Sequence, residues 1–266
     1  MIKLSLKNAT KIINGNLIGT DKIFDGVSTD SRNIVKDQLF FALKGLNFNG
    51  NKFSQEALSK QAAACVIDEK KFHTTGNILV NDVSMALGKL ASAWKEILNT
   101  KVIAITGSNG KTSLKEIVAN CLSIDSNILS TEGNYNNHIG LPLMLLKLNK
   151  EHEYAVLEMG ANRPNEIEYL ASLTNPYIAI INNAGPAHLE GFMSLDGVAE
   201  AKGEILQGDI PPTYAILNHD DRYFGLWSEM AVRSKIISFG LNSKATIYAK
   251  DLQLSDNYST FKLGIR

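Results

Sequence analysis

The segment from Val102 to Val118 is the part of this sequence that most constrains the fold. An apolar run, VIAIT, leads directly into GSNGKT at residues 107–112 and then into a helical pattern. Glycine at 107 and 110 lets backbone N–H groups approach anionic oxygens, and a helix beginning near Thr112 directs the positive end of its dipole at them. The segment therefore predicts a strand, a phosphate-binding loop and a helix.

The loop matches a shortened form of the P-loop, because the full G-x-x-x-x-G-K-[ST] pattern has glycine where this chain has Ile105. In a P-loop, the lysine reaches the β- and γ-phosphates and the hydroxyl that follows it ligates Mg²⁺. A GKT tripeptide also occurs by chance in surface loops, but the strand–loop–helix context favours a nucleotide site. The predicted ATP-binding residues are Gly107, Ser108, Asn109, Gly110, Lys111, Thr112 and Ser113.

Composition excludes several other classes of function. The chain has 266 residues, enough for two domains with cores of their own. Its 27 basic and 27 acidic residues cancel, so the charge favours neither nucleic acid nor an anionic membrane surface. Cys65 and Cys121 fall in no C-x-x-C pattern, which favours a reducing compartment. No apolar run resembles a leader or a membrane span. We expect a cytoplasmic protein without membrane insertion or nucleic-acid binding.

The order of apolar and polar segments predicts two domains that meet near residue 82. Residues 1–82 contain short mixed elements typical of a small α/β domain. Residues 83–98 carry apolar side chains at helical spacing and are expected to open the second domain, 83–266, as a linker helix. From Val102 onward, buried strands alternate with amphipathic helices, which predicts a mostly parallel, doubly wound sheet. Sheets of this kind bind ligands beyond the carboxyl ends of their strands.

Polar residues after two of these strands are candidates for metal or ligand binding. Glu158 ends the strand YAVLE, where its carboxylate could hold a divalent cation beside the phosphates or cap the helix that follows. His188 lies in the loop NNAGPAHLEGF, and a loop histidine is more often solvated or hydrogen-bonded than catalytic. From the residues alone, both alternatives stay open for each position.

Lys202 falls within the apolar stripe of the helix from Leu195, among Val198, Ala199 and Ile205. Either its ammonium extends to solvent, or it faces the nucleotide site, where conversion to a carbamate would supply oxygen ligands for Mg²⁺.

The segment GNYNNHIGLP at 133–142 carries Asn134, Asn136 and Asn137. These are either ordinary turn residues or neutral donors and acceptors for a polar ligand.

Five segments, TGSNGKT, GNYNNHIGLP, LEMGA, NNAGPAHLEGF and GVAEAKGEI, resemble in this order the motifs of the Mur ligase family, ATP-dependent enzymes that form amide bonds in peptidoglycan synthesis. EMG at 158–160 and the asparagine-rich loop resemble the branch that joins D-alanyl-D-alanine to UDP-N-acetylmuramoyl-tripeptide. VSTDSRNI and LFFALKGLNFNGNKF resemble the UDP-binding domain of that branch, with Asn49 and Asn51 where aspartate and histidine are common.

The resemblance implies an acyl-phosphate mechanism with ATP and Mg²⁺ as cofactors. It implies that Lys111 and the loop amides hold the phosphates, and that Thr112 and Glu158 bind one Mg²⁺. His188 and a carbamylated Lys202 would support a second metal, so the implied catalytic set is Lys111, Glu158, His188 and Lys202. The implied substrate-binding residues are Thr29, Asp30, Ser31, Arg32, Lys44, Gly45, Asn134, Asn136 and Asn137.

Mur ligases have three domains, and the resemblance covers the first two. It leads us to expect that the C-terminal ligase domain is absent from this chain, that the 266 residues are inactive alone, and that they form a monomer. Two other classes remain as alternatives. One is another P-loop ATP-dependent ligase or a kinase, and the other is a non-catalytic nucleotide-binding remnant.

Overall fold

The computed structural model describes residues 1–187 and 189–266, with the side chain of Leu189 excepted. The helices are α1 (Leu6–Ile12), α2 (Ser54–Ser59), α3 (Val83–Leu98), α4 (Lys111–Leu122), α5 (Gly140–Leu146), α6 (Glu166–Thr174), α7 (Leu189–Phe192), α8 (Leu195–Gly203) and α9 (Phe224–Met230). The strands are β1 (Lys3–Ser5), β2 (Asn16–Ile18), β3 (Ile23–Asp25), β4 (Val27–Ser28), β5 (Leu39–Phe41), β6 (Lys44–Gly45), β7 (Phe48–Asn49), β8 (Ala64–Ile67), β9 (Asn77–Leu79), β10 (Lys101–Thr106), β11 (Ile128–Ser130), β12 (Tyr154–Glu158), β13 (Ile178–Ile181), β14 (Tyr214–Asn218), β15 (Lys235–Gly240), β16 (Ile247–Leu254) and β17 (Ser259–Ile265).

Contacts divide the chain into two compact units. The first comprises Met1–Thr100 and His138–His152, and the second comprises Lys101–Asn137 and Glu153–Arg266. The first unit contains a sheet with the strand order β2-β9-β8-β5-β4, in which only β2 runs antiparallel to its neighbour. Every residue of β5 and β8 is buried, as expected for central parallel strands. The hairpin β6–β7 lies outside this sheet.

The helices α3 and α5 belong to the first unit, which differs from the sequence-based division. Both fall within 83–266, the range predicted for the second domain. Instead the apolar faces of α3 and α5 pack together, and the Trp94 indole donates to the Leu148 carbonyl at 3.0 Å. Asp82 caps α3 by accepting a hydrogen bond from the Met85 N–H at 2.7 Å. Helical spacing predicted that α3 forms but not which core it covers.

The second unit is built on a sheet with the strand order β11-β12-β10-β13-β14-β15-β16-β17. Neighbouring strands are parallel except β17, which forms an antiparallel hairpin with β16. The predicted α/β class with a mostly parallel sheet is therefore confirmed. The apolar face of α4, with Leu114, Val118 and Leu122, packs on β10, β12 and β13. No helix within 1–187 or 189–266 has the length and hydropathy needed to cross a membrane.

The topology brings polar loop residues together at one edge of this sheet. The chain leaves β10 toward one side, forms β11 and β12 there, and then crosses to the other side of β10 to form β13. The carboxyl ends of β10, β12 and β13 therefore adjoin at a switch point, where ligands of such sheets bind. Thr106 ends β10, Glu158 ends β12, and Asn182 follows β13.

Candidate functional site

The loop between β10 and α4 depends on glycine at two positions. Gly107 and Gly110 have φ angles of +154° and +73°, and both lie against the segment that follows β13. A Cβ on Gly107 would come within 3.0 Å of the Asn182 Cβ, and one on Gly110 within 3.0 Å of the Asn182 Nδ2. The glycines thus allow a close approach between two protein segments, in addition to the approach to an anion that the sequence suggested.

The segment after β13 also holds the loop through hydrogen bonds. The Ser108 N–H donates to the Asn183 carbonyl at 3.0 Å, and the Asn182 side-chain amide donates to the Asn109 carbonyl at 2.9 Å. The Ser108 hydroxyl lies 3.0 Å from the Gly185 carbonyl oxygen and 2.9 Å from the Gly185 nitrogen. These contacts fix the backbone of the loop from one side.

The Lys111 side chain folds back over the loop. Its ammonium donates to the Gly107 carbonyl at 2.7 Å and to the Ser108 carbonyl at 3.3 Å. An ammonium has three N–H donors, so these two contacts leave a donor for a further acceptor. The position suits a lysine that stabilises both the loop and a bound anion.

Glu158 is the buried carboxylate of the site, only 4% exposed. One carboxylate oxygen accepts from the Asn136 amide at 2.8 Å, and the other accepts from the Thr112 hydroxyl at 2.9 Å. No ion pair of Glu158 occurs among the residues that the structure describes. The predicted pair Thr112 and Glu158 is therefore in direct contact.

The alternative role of Glu158, as a cap for the following helix, belongs to another residue. The Glu204 carboxylate accepts from the N–H groups of Asn165, Ile167 and Glu168, at 2.7, 3.2 and 3.2 Å, at the start of α6. Burial raises the pKa of Glu204 above its usual value, and these three hydrogen bonds oppose that shift. A cap from a residue so distant in sequence gave no local signal.

Two buried residues support the Glu158 backbone. The Glu158 N–H donates to the Thr131 hydroxyl at 2.9 Å, and the Lys115 ammonium donates to the Thr131 carbonyl at 2.8 Å. Lys115 is 3% exposed and lies one turn after Thr112 on α4. Neither residue was predicted from the sequence, although a lysine on the buried face of a predicted helix is a usable signal.

These groups surround a polar cavity of about 280 Å³ in the second unit. Its lining includes predicted residues from separate segments of the chain: Gly107, Ser108, Lys111, Asn136, Asn137, Glu158 and Lys202. Asn134 and Ser113 are exposed and lie outside this lining. The predicted ligand His188 lies outside the described residues. Within 1–187 and 189–266, no group of three or more His, Cys, Asp or Glu side chains could hold a metal.

Lys202 on α8 is 3% exposed and lines the cavity, so it does not extend to solvent. Its ammonium lies 5.9 Å from the centroid of the Phe192 ring. Burial lowers the pKa of Lys202 to about 8, the nearby Lys111 ammonium acts in the same direction, and Glu204 opposes them. Of the two alternatives left by the sequence, the structure thus favours a cavity-facing lysine.

The first unit contains a second cavity, of about 440 Å³, at the predicted uridine-nucleotide region. Thr29, Asp30, Ser31 and Arg32 line it. Asp30 caps a short 3-10 helix at Ser31–Asn33 and accepts from the Arg32 guanidinium through both carboxylate oxygens, each at 2.9 Å. These hydrogen bonds from Arg32 lower the pKa of Asp30 to about 2. The exposed rings of Phe48 and Phe53 also line it.

The predicted residues Lys44 and Gly45 lie beside this cavity, in β6. The Lys44 ammonium pairs with Asp68 at 2.8 Å and Glu69 at 3.3 Å, which raises the pKa of Lys44. Only glycine at position 45 leaves room for the Phe48 ring, because a Cβ there would lie 2.3 Å from that ring.

The two asparagines that depart from the family pattern join the same network. The buried Asn51 donates to Asp68 at 2.8 Å, and Asn49 donates to Glu69 at 2.6 Å. The two side-chain amides donate hydrogen bonds to the carboxylates of Asp68 and Glu69. An aspartate at position 49 could not donate such a bond and would be repelled by Glu69.

Comparison with known families and proteins agrees with this architecture. The family model described as the Mur ligase middle domain matches residues 105–265, and the model described as the Mur ligase family, catalytic domain, matches residues 23–95. A similar protein is the UDP-N-acetylmuramoyl-tripeptide–D-alanyl-D-alanine ligase of Buchnera aphidicola subsp. Baizongia pistaciae, which is 42% identical over 99% of this chain and 59% of its own length.

Two solved structures show how far the likeness extends in three dimensions. A crystal structure of MurF from Acinetobacter baumannii has a TM-score of 0.92 and 32% identity, covering 100% of this chain and 59% of that one. MurF from Thermotoga maritima in complex with ADP has a TM-score of 0.81 and 31% identity, covering 89% of this chain and 55% of that one. The chain thus spans less than two thirds of the length of each of these relatives. Because the middle-domain model alone matches more than half of its residues, the chain belongs to the Mur ligase family.

Proposed function

We propose that this chain provides the nucleotide-binding and UDP-sugar-binding parts of an ATP-dependent ligase that joins D-alanyl-D-alanine to UDP-N-acetylmuramoyl-tripeptide. The observation that carries the proposal is the single cavity that brings Lys111 and the phosphate loop together with Glu158 and Lys202. The names of the relatives support the proposed substrates, and the ADP complex of the Thermotoga protein supports the proposed nucleotide.

The proposed reaction has two steps. The terminal carboxylate of the tripeptide attacks the γ-phosphorus of ATP, which gives an acyl phosphate and ADP. The amine of the dipeptide then attacks the acyl carbon, an amide forms and inorganic phosphate leaves. Charge moves onto phosphoryl oxygens in the first step, so catalysis rests on positioning and electrostatic stabilisation. Lys111 and the N–H groups at the start of α4 supply that stabilisation.

The donor set around Glu158 fits Mg²⁺. The Glu158 carboxylate and the Thr112 hydroxyl are both oxygen donors, which this ion prefers. A buried carboxylate without a cation is costly, so a bound cation would stabilise the site. When bound with ATP, Mg²⁺ would neutralise charge on the β- and γ-phosphates. Thr112 and Glu158 would hold the ion, and Asn136 would orient the carboxylate.

A second cavity of the same unit suits the nucleoside end of ATP. It has a volume of about 450 Å³ and is lined by Asn218, Phe239 and Leu241 at the ends of β14 and β15. Three strand spacings separate β10 from β15, or about 14 Å at ~4.8 Å each. The Asn218 amide donates to the Asn182 carbonyl at 3.0 Å and so connects this region to the phosphate loop. The triphosphate would lie at the end of β10, and the base would pack against Phe239 and Leu241.

We also propose that Lys202 is carbamylated. Its amine lies in the cavity with Glu158, and no hydrogen bond or ion pair of it occurs among the described residues. Addition of the neutral amine to CO₂ forms a carbamate and releases a proton. With a pKa of about 8, about one molecule in ten has that neutral amine at pH 7. The carbamate would add oxygen ligands for a second ion, and a carbonyl signal from ¹³CO₂ that is missing in Lys202→Met would test it.

The cavity of the first unit would hold the UDP end of the sugar substrate. The exposed rings of Phe48 and Phe53 can stack on the base. Arg32 and the hydroxyls of Thr29 and Ser31 can contact phosphate or ribose oxygens. Asp30 already pairs with the Arg32 guanidinium, so it holds this side chain in place before ligand binds.

Direct binding and turnover measurements test the proposed function. Calorimetry of the 266-residue chain should show Mg²⁺-dependent binding of ATP and separate binding of the UDP-sugar. Lys111→Ala removes a charge-assisted phosphate contact worth about 1.5–3 kcal/mol, so ATP affinity should fall at least tenfold. Lys89→Ala, which removes an exposed lysine of α3, is the matched control and should leave ATP affinity unchanged.

If turnover occurs, its products separate the alternatives. A ligase requires the UDP-tripeptide for ADP release and the dipeptide for amide formation. ADP release with a phosphorylated product that is stable to the dipeptide would indicate a kinase. Failure of the unmodified chain to bind ATP at millimolar concentration would contradict the proposal.

A further inference from the structure

The side chain of Asn183 occupies the N–H groups that the phosphate loop would otherwise offer to an anion. Its amide oxygen accepts from the Ser108 N–H at 3.1 Å and from the Asn109 N–H at 2.9 Å. Its amide nitrogen donates to the Asn109 carbonyl at 3.1 Å. One side chain thus satisfies both the backbone N–H and the backbone carbonyl of Asn109, a geometry available to Asn but not to an apolar residue.

The occupied donors limit which part of the loop can bind phosphate. The N–H groups of Ser108 and Asn109 point at Asn183 and are not available to a ligand. The N–H groups of the first turn of α4, from Lys111 onward, have no intrahelical acceptor because they begin a helix. Neither the Ser108 nor the Asn109 N–H can contribute, so backbone recognition of an anion falls to N–H groups such as those of Lys111 and Thr112 at the start of α4.

We infer that Asn183 is a positioning residue that holds the phosphate loop in its ATP-binding conformation before the nucleotide arrives. The inference rests on the proposed nucleotide binding at this loop. Asn183 acts through Ser108 and Asn109 and does not line the cavity itself. A loop that is already ordered loses less conformational freedom on binding, so the interaction increases affinity without adding a contact to the ligand.

Amide hydrogen exchange tests the interaction without any nucleotide. In the free chain, the N–H groups of Ser108 and Asn109 should exchange at least tenfold more slowly than those of exposed loops. In Asn183→Leu, which has similar size and no polar atoms, the protection of the Asn109 N–H should be lost. The Ser108 N–H keeps the backbone carbonyl of residue 183 as an acceptor and should stay protected. Asn183→Ala serves as a second variant in case leucine disturbs packing. Rapid exchange of the Asn109 N–H in the unmodified chain, or its unchanged protection in both variants, would overturn the inference.

Ligand affinities then test the link to binding. Both variants should raise the Kd for Mg·ATP about tenfold, which corresponds to about 1.4 kcal/mol, and should leave the Kd for the UDP-sugar unchanged. Asn120→Ala removes an exposed asparagine from α4 and is the matched control for both measurements. Loss of protection without a change in ATP affinity would refute a role in binding. Protected amides in a chain that binds no ATP would instead disprove the proposed function.

Discussion

Glu158→Gln should make the ligand-free protein more stable while removing its response to Mg²⁺. Glu158 is 4% exposed and accepts hydrogen bonds from Asn136 and Thr112. Glutamine has nearly the same size and can keep both contacts, because its oxygen accepts from Asn136 and its nitrogen donates to the Thr112 hydroxyl. The substitution therefore removes a buried charge without leaving a hydrogen-bonding group unsatisfied.

The magnitudes follow from these contacts. Burying a carboxylate costs several kcal/mol, and two charge-assisted hydrogen bonds return about 1.5–3 kcal/mol each. The neutral amide avoids most of the desolvation cost and makes weaker bonds, so we expect a gain of about 1 kcal/mol. A change of this size raises Tm by about 2–4 °C in a protein of similar length. In the unmodified chain, Mg·ATP at 100 times its Kd should add about 2.7 kcal/mol.

Thermal unfolding followed by circular dichroism separates these effects. Melts are recorded without ligand, with ATP and EDTA, and with ATP and Mg²⁺. Glu158→Gln should unfold at a higher temperature without ligand and should show the same Tm with either ATP mixture. Glu229→Gln, which neutralises an exposed glutamate of α9, should retain the Mg²⁺-dependent increase in Tm. A lower ligand-free Tm together with an intact Mg²⁺ response would refute the reasoning and make Glu158 a structural residue.

Three further outcomes follow from the described contacts. Lys115→Met should lower the free energy of unfolding by about 1–2 kcal/mol and reduce the Mg²⁺-dependent rise in Tm, because the Thr131 carbonyl loses its donor beside Glu158. An unchanged Mg²⁺ response would show that Lys115 does not help to position Glu158. Iodoacetamide at pH 8 should modify the exposed Cys121 within minutes and spare Cys65, whose buried thiol has its pKa raised to about 12, until the protein is denatured; rapid labelling of two thiols in the native protein would contradict this. Glu204→Ala should cost about 1–2 kcal/mol in urea unfolding because α6 loses its cap, and no change in the midpoint would show that solvent replaces the cap.

Several parts of the site were predictable because their signals are local. The apolar run before Gly107, the glycines and the helical pattern after Thr112 specify a strand, a loop and a helix within 17 consecutive residues. The alternation of strands and helices predicted the parallel sheet, and the sheet type places Glu158 and Asn182 at the same edge as the loop.

Other parts depended on pairings that no local pattern contains. Asn183 contacts the phosphate loop across a sequence separation of 74 residues, and its side chain gives no sign of which backbone it will meet. Glu204 caps a helix that begins 38 residues before it. In both cases a common polar residue acquires its role because the sheet topology brings two loops together.

The sequence by itself determined the elements and the chemistry of the phosphate loop, because strand, turn and helix preferences act over a few residues. Only the tertiary structure decided that α3 and α5 cover the first unit, because apolar faces of similar size are interchangeable until they pack. The same holds for the direction of Lys202. Periodicity placed it on a buried stripe, and the structure shows that it lines the same cavity as Glu158. Burial and long-range hydrogen bonds thus select among roles that the sequence leaves open, because both arise only when distant segments meet.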